Sequence, residues 1–186
     1  MGEYKSFKKI PHAAITAEDA MMIDRIYKRG NRVVLNLKME AKFVEDRWSR
    51  NVLAELRGST FPEEVVVLGG HIDSWDVGQG AHDDAGGCVA AWRAVTLIKD
   101  LGLKPRRTLR VVLWTNEENG SRGSKNYRNE HFSELENHIV AIESDGGVFA
   151  PQGFGLTGSK SAKKIILTIS DLLEPIGANI ITDWGR

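Results

Sequence analysis

The chain has 186 residues with 25 basic and 25 acidic side chains, and this zero net charge disfavours a dedicated nucleic-acid-binding protein. Apolar runs such as residues 65–68 are far shorter than the ~18 residues of a membrane-spanning helix, and residues 1–5 lack the apolar core of a signal peptide. Cys88 is the only cysteine, which excludes an intrachain disulfide and a cysteine-based zinc site, so His, Asp and Glu would have to hold any metal ion.

A helix is the first element predicted along the chain. Thr16 and Asp19 have the spacing of a capping box, and Gly30 is a typical C-terminal stop. Residues 32–38 and 51–57 have the composition of strands, and the charged residues 39–50 between them predict a loop.

From residue 61 onwards, short apolar strands alternate with helices. The alternation predicts an α/β fold with a mixed, mostly parallel sheet sandwiched between helices. Val- and Leu-rich strands without alternation favour burial on both faces of the sheet. The predicted elements are strand 64–68, helix 85–101, strand 109–114, helix 121–132, strand 139–142 and helix 162–173, the last ending before Pro175 and Gly177.

Polar side chains stand directly after three of the predicted strands. His71 and Asp73 follow the strand at 64–68, the pair Glu117 and Glu118 follows the next, and Asp145 follows the third. Because ligands bind outside the carboxyl ends of the strands in open α/β sheets, we expect these groups to meet at one rim.

The residue types at this rim suit zinc, which accepts His nitrogens and carboxylate oxygens. Residues i and i+2 of an extended segment point the same way, so Asp73 is expected to hold the second ring nitrogen of His71. Adjacent glutamates point in different directions, so one of Glu117 and Glu118 can bind metal while the other stays free as a base. The pair Asp83 and Asp84 directly precedes the predicted helix at 85–101. These carboxylates could cap that helix instead of binding metal.

Three segments carry a specific resemblance: GGHIDSWDVGQGAHDDAGG at 69–87, WTNEENGSRGS at 114–124 and AIESDGG at 141–147. They are similar to motifs of the zinc-peptidase family with two co-catalytic metals, which includes bacterial leucyl aminopeptidases and glutamate carboxypeptidases. Residues 71–80 most resemble the plasma glutamate carboxypeptidase branch, and the similarity spans roughly residues 10–186. The resemblance implies a fold of the phosphorylase/hydrolase type.

The resemblance also implies roles for single residues. Glu117 would be the general base, and Asp73 would be the second catalytic residue, behind His71. The peptide bond between Asp83 and Asp84 would be strained and is expected to be cis. Two zinc ions would be bound. His71 and Asp145 would hold the first, Glu118 would hold the second, and Asp83 would bridge both.

The family supplies one further histidine ligand downstream of Asp145, whereas this sequence has no histidine after His138. We therefore expect an incomplete peptidase that lacks its C-terminal part and binds the second zinc ion weakly. Residues 1–45 are predicted to be the end of an accessory domain and a linker, and residues 46–186 a truncated zinc-peptidase catalytic domain.

The predicted function is zinc-dependent hydrolysis of short peptides or dipeptides, as a metallocarboxypeptidase or dipeptidase. An aminopeptidase acting on longer peptides is one alternative, and a catalytically inactive metal-binding or interaction domain is another. Glu117 favours an enzyme, because a structural metal site needs no free base. The expected partners are short peptides, with no nucleic acid and no membrane, and the resemblance suggests a homodimer and a secreted or periplasmic location.

Overall fold

The computed structural model describes residues 10–42 and 44–183. The chain divides into two compact units, one up to Arg47 and the other from Trp48. Residues 1–9, 43 and 184–186, on which parts of the predicted accessory and catalytic domains fall, lie outside the described residues. The assignment of residues 1–45 to an accessory domain stays a prediction.

The first unit contains the predicted N-terminal helix, α1, at Ala17–Lys28. The hydroxyl oxygen of Thr16 accepts from the N–H of Asp19 at 3.1 Å, as the capping pattern predicts. The strand predicted at 32–38 is absent, and Val34 and Leu35 there are 73% and 71% exposed. No strand occurs among the described residues of this unit, so this segment has no neighbour with which to form a ladder.

The second unit is built on a four-stranded sheet in the order β1-β3-β2-β4. β2 lies between β3 and β4 and is parallel to both, whereas β1 is antiparallel to β3. The predicted mixed, mostly parallel sheet is confirmed. The strands are β1 Val52–Leu56, β2 Phe61–His71, β3 Arg107–Trp114 and β4 His138–Glu143.

Helices cover both faces of this sheet. On one face α2, at Gly86–Asp100, packs Ala91 and Val95 against Val111 of β3. On the other face lies α3, at Arg122–Glu130, whose Tyr127 belongs to a buried cluster with the β2 and β3 side chains. A kinked turn at Ala81–Ala85, in which Asp83 and Asp84 have non-helical backbone angles, precedes α2, and a 3-10 turn at Phe132–Asn137 follows α3.

Two short parallel strands that the sequence did not predict, β5 Gly153–Leu156 and β6 Ile180–Asp183, form a second sheet. Between them in sequence lies the predicted helix, α4, at Lys160–Ser170, whose N-cap Ser159 accepts from the N–H of Ala162 at 3.1 Å. A 3-10 turn at Asp171–Ile176 contains Pro175 and ends the helical segment.

Candidate metal centre and active site

Three parallel strands bring their following loops to one rim of the sheet. In the ladder His71 pairs with Trp114, so β2 and β3 end at the same level, and β4 ends opposite Gly69, two residues earlier. The polar groups predicted after these strands therefore start from neighbouring backbone positions, as expected from the sheet topology.

His71 is the centre of the cluster and is only 1% exposed. Its Nε2 lies 3.0 Å from Oδ1 of Asp83 and 3.4 Å from Oδ1 of Asp145. Two ligands that each lie about 2.0–2.2 Å from a tetrahedral ion are about 3.4 Å apart, so these separations fit ligands of a shared metal ion.

Glu118 completes this group. One ligand atom each from His71, Asp83 and Glu118 lie within 4.8 Å of one another. Oε1 of Glu118 is buried and has no hydrogen-bond partner among residues 10–42 and 44–183, which is costly for a carboxylate unless a cation is present. Burial raises the pKa of Glu118, and the negative charge of Asp83 raises it further. The residues present therefore fit a divalent metal.

Asp84 forms a second such group with His71 and Asp145, but its two oxygens already have partners. They accept from the N–H of His71 at 3.0 Å and from the N–H of Gly87 at 2.9 Å, so Asp84 joins the end of β2 to the first turn of α2. Burial raises the pKa of this carboxyl. The capping alternative thus applies to Asp84, while Asp83 faces His71, and the bond between them is cis as expected.

Asp73 contacts the second ring nitrogen of His71 as predicted, but through its backbone and not through its side chain. Nδ1 of His71 lies 2.8 Å from the backbone carbonyl oxygen of Asp73, whereas the nearer carboxylate oxygen is 3.7 Å away. Instead that carboxylate accepts the N–H groups of Glu117 at 2.9 Å and Glu118 at 3.3 Å. Asp73 therefore ties the β2 loop to the loop after β3.

The backbone carbonyl of Asp73 decides which nitrogen of the neutral His71 ring carries the proton. Because a carbonyl can only accept, Nδ1 carries a proton, and in the neutral ring Nε2, which faces Oδ1 of Asp83 at 3.0 Å, keeps its lone pair for a metal ion. Burial lowers the pKa of His71, but the hydrogen bond to Asp73 and the charge of Asp145 outweigh it, and the pKa is raised.

The loop that carries the glutamate pair is folded back on itself. The N–H groups of Gly120 and Ser121 donate to the carbonyl oxygen of Glu117 at 2.9 Å and 2.8 Å. The hydroxyl of Ser121 donates to Oε1 of Glu117 at 3.2 Å. The sequence analysis missed Ser121, because nothing in its sequence context marks a contact to Glu117.

Residues 51–185 match the family model described as Peptidase family M28. The chain belongs to this family. It is 52% identical over 181 residues to carboxypeptidase Q of Bos taurus and 49% identical over 178 residues to carboxypeptidase Q of Mus musculus. These matches cover 97% and 96% of the chain but 38% of each relative.

A more distant relative and a solved structure are also similar to this chain. A probable leucine aminopeptidase 2 of Aspergillus fumigatus is 34% identical over 119 residues, covering 64% of this chain and 23% of the relative. The crystal structure of a Peptidase M28 precursor from Shewanella amazonensis SB2B has a TM-score of 0.75 and 38% identity, covering 89% of this chain and 37% of that one. The predicted family and fold are confirmed.

The M28 chain gathers the predicted site residues as the topology requires. The four predicted ligands come from three loops that meet beside Nε2 of His71, and the predicted base is adjacent in sequence to one of them. The roles of these residues stay predictions. Within residues 10–42 and 44–183, no helix combines the length and apolar character needed to cross a membrane.

Proposed function

We propose that this M28 protein is a zinc-dependent exopeptidase that hydrolyses short peptides or dipeptides at the rim around His71. The observation that carries the proposal is the buried, unpartnered Oε1 of Glu118 beside His71 and Asp83. Glu117 is adjacent to Glu118 in sequence. Its carboxylate accepts a hydrogen bond from the Ser121 hydroxyl and belongs to neither group of candidate ligands. A structural metal site would need no such free carboxylate.

The proposed metal centre contains two zinc ions. His71 and Asp145 would hold one, Glu118 would hold the other, and Asp83 would bridge them. When bound, the metal ions would polarise the peptide carbonyl and lower the pKa of a bound water molecule to near neutral.

The chain's own residues would then move the protons. Glu117 accepts a proton from the attacking water and donates it to the leaving amine as the peptide bond breaks. The carboxylate of Asp73 holds the backbone of Glu117 and Glu118 through their N–H groups, so that base and ligand keep a fixed separation. In the neutral His71 ring, the carbonyl of Asp73 keeps the proton on Nδ1, so that the lone pair is on Nε2.

The relatives favour a carboxypeptidase or dipeptidase over an aminopeptidase. The carboxypeptidase Q sequences are about 50% identical over nearly the whole chain, whereas the leucine aminopeptidase is 34% identical over 64% of it. Dipeptides with a blocked amino terminus and dipeptides with an amidated carboxyl terminus separate the two activities. A carboxypeptidase requires the free carboxylate, and an aminopeptidase requires the free amine.

The change Glu117→Gln tests the proposal, with the exposed Glu136→Gln as the matched control. Glu117→Gln should leave the zinc content unchanged and lower the turnover of dipeptides by about 10²–10⁴-fold, the usual contribution of a positioned base. Glu136→Gln should change neither. Loss of zinc together with activity would show that the pair is wrongly assigned, and a zinc-loaded wild type without hydrolysis would favour the inactive-domain alternative.

A further inference from the structure

We propose that Ser121 is a positioning residue that fixes the carboxylate of Glu117 through a hydrogen bond from its hydroxyl. The inference rests on the proposed function only for the role that it gives to Glu117. The direct observation is the 3.2 Å separation between Oγ of Ser121 and Oε1 of Glu117, in which only the hydroxyl can donate to an ionised carboxylate.

The backbone of Ser121 has an uncommon conformation. Its φ of 53° and ψ of 43° are left-handed, a region that side chains other than glycine and asparagine seldom adopt. Asn116, at the other end of the glutamate loop, has a φ of 55°. Such conformations persist where the surroundings enforce them, and they cluster at functional sites.

The loop is closed by hydrogen bonds that leave Ser121 little freedom. The N–H of Arg122 donates to the carbonyl of Asn116 at 3.1 Å, and the N–H of Gly123 donates to the carbonyl of Thr115 at 2.9 Å. The loop therefore fixes the direction of the Cα–Cβ bond of Ser121.

Ser121 is the N-cap residue of α3, yet its hydroxyl does not cap the helix. The corresponding residues of α1 and α4, Thr16 and Ser159, have extended backbones, and each accepts an N–H of its own helix at 3.1 Å. The left-handed backbone of Ser121 directs its hydroxyl to Glu117 instead. The Ser121 side chain therefore contacts Glu117, although serine at an N-cap position ordinarily caps its own helix.

The two glutamates are consequently held in different ways. Asp73 fixes the backbone N–H groups of both, but the Ser121 hydroxyl holds only the side chain of Glu117. Within the part of the chain that the structure describes, Oε1 of Glu118 is left without a hydrogen-bond partner. This asymmetry suits a fixed base beside a side chain that is free to bind metal, because catalysis depends on reacting groups that are positioned in advance.

The test compares Ser121→Ala with Ser124→Ala. The Ser124 hydroxyl donates to the carbonyl oxygen of Ser121 and contacts neither glutamate. Ser121→Ala should lower kcat about 10-fold, close to the lower limit for losing a hydrogen bond to a charged group, with KM and zinc content unchanged. Ser124→Ala should leave all three unchanged. Ser121→Gly should match Ser121→Ala, because the hydroxyl and not the strained backbone matters, and Ser121→Asn should restore part of kcat through its amide donor.

Two further measurements separate this proposal from the proposed function. In a Glu117→Gln background Ser121→Ala should have no additional effect, because the two residues act as one unit. Equal losses in both backgrounds, or an unchanged kcat, would overturn the proposal. Crystals of Ser121→Ala should show the Glu117 carboxylate displaced, with Ser124→Ala unchanged. This structural comparison decides the matter even in a protein that hydrolyses no peptide, and an unmoved carboxylate would contradict the proposal.

Discussion

Asp73 acts on the site through two different groups, its carbonyl and its carboxylate. The carbonyl selects the tautomer of His71, and the carboxylate holds the N–H groups of Glu117 and Glu118. A substitution of the side chain should therefore disturb the glutamate loop and leave the hydrogen bond to the His71 ring in place.

We expect Asp73→Asn to lower kcat by about 10–100-fold, the usual cost of removing a group that supports a metal site. The amide presents one acceptor oxygen, and its NH2 group faces the second N–H as a like donor. Zinc titration and steady-state kinetics measure the effect, with the exposed Asp76→Asn as control. Loss of the His71 Nδ1 hydrogen bond in crystals of the variant, with the glutamate loop intact, would contradict this assignment.

Cys88 provides a pH-dependent probe of the interior beneath the site. Burial, followed by the charge of Asp84, raises the pKa of its thiol from 9.0 to about 11. Since the folded pKa is the higher one, the protonated thiol favours the folded state below about pH 9, and this stabilisation is lost as the pH rises through 11.

The native protein at pH 8 should therefore leave Cys88 unreactive toward iodoacetamide, and the unfolded protein should react with one equivalent. The free energy of unfolding should fall between pH 9 and 11, and Cys88→Ala should reduce that slope. Rapid labelling of the folded chain at pH 8 would show that the thiol is accessible.

At the scale of the elements, the junction between β2 and α2 determines the shape of the site. Gly70 and Gly87 lie where the strand end, the helix start and the loop after β4 meet. A Cβ atom at Gly87 would overlap the carbonyl oxygen of Ser144 and a carboxylate oxygen of Asp84. Ser144 is itself tied to β2 by its N–H, which donates to Gly69 at 3.1 Å. The helix can approach the strand only with glycine at this position.

Gly87→Ala should therefore destabilise the fold by about 3 kcal/mol, at the upper end of the range for overpacking. Gly146→Ala is the matched control, because among the described residues no atom beyond its own chain neighbours lies within 4 Å of the position its Cβ would take. Denaturant unfolding measures both variants. Equal midpoints would show that the helix and strand can separate without cost.

The long elements and the location of the site could be predicted from the sequence. Apolar runs marked β2, β3 and β4, and the parallel arrangement alone brings the groups after their ends together. The segment at 32–38 has strand composition but no neighbouring strand, and hydrogen-bonded neighbours are not encoded locally. β5 alternates between exposed and half-buried residues, but it is only four residues long and two of them are glycines, which are uncommon in strands. Which group of Asp73 contacts His71 depends on backbone angles that spacing does not determine.

At the scale of the whole molecule, the rim of the sheet concentrates acidic side chains around one histidine. Three of them, Asp83, Glu118 and Asp145, come from different loops, so their mutual repulsion opposes folding until a cation is bound. The chain spans 38% of the length of its carboxypeptidase Q relatives of Bos taurus and Mus musculus and contains this rim. Metal binding and folding should therefore be coupled in this part of the protein.

The central claim is that this rim is a metal centre, and anomalous diffraction at the zinc edge tests it most directly. Crystals grown with zinc should show a peak about 2.0–2.2 Å from Nε2 of His71, in contact with Asp83 and Asp145, and a second peak beside Glu118. The Asp83→Asn variant should lose both peaks or weaken them strongly. A map without a peak near His71, or with peaks unaffected by Asp83→Asn, would contradict the account.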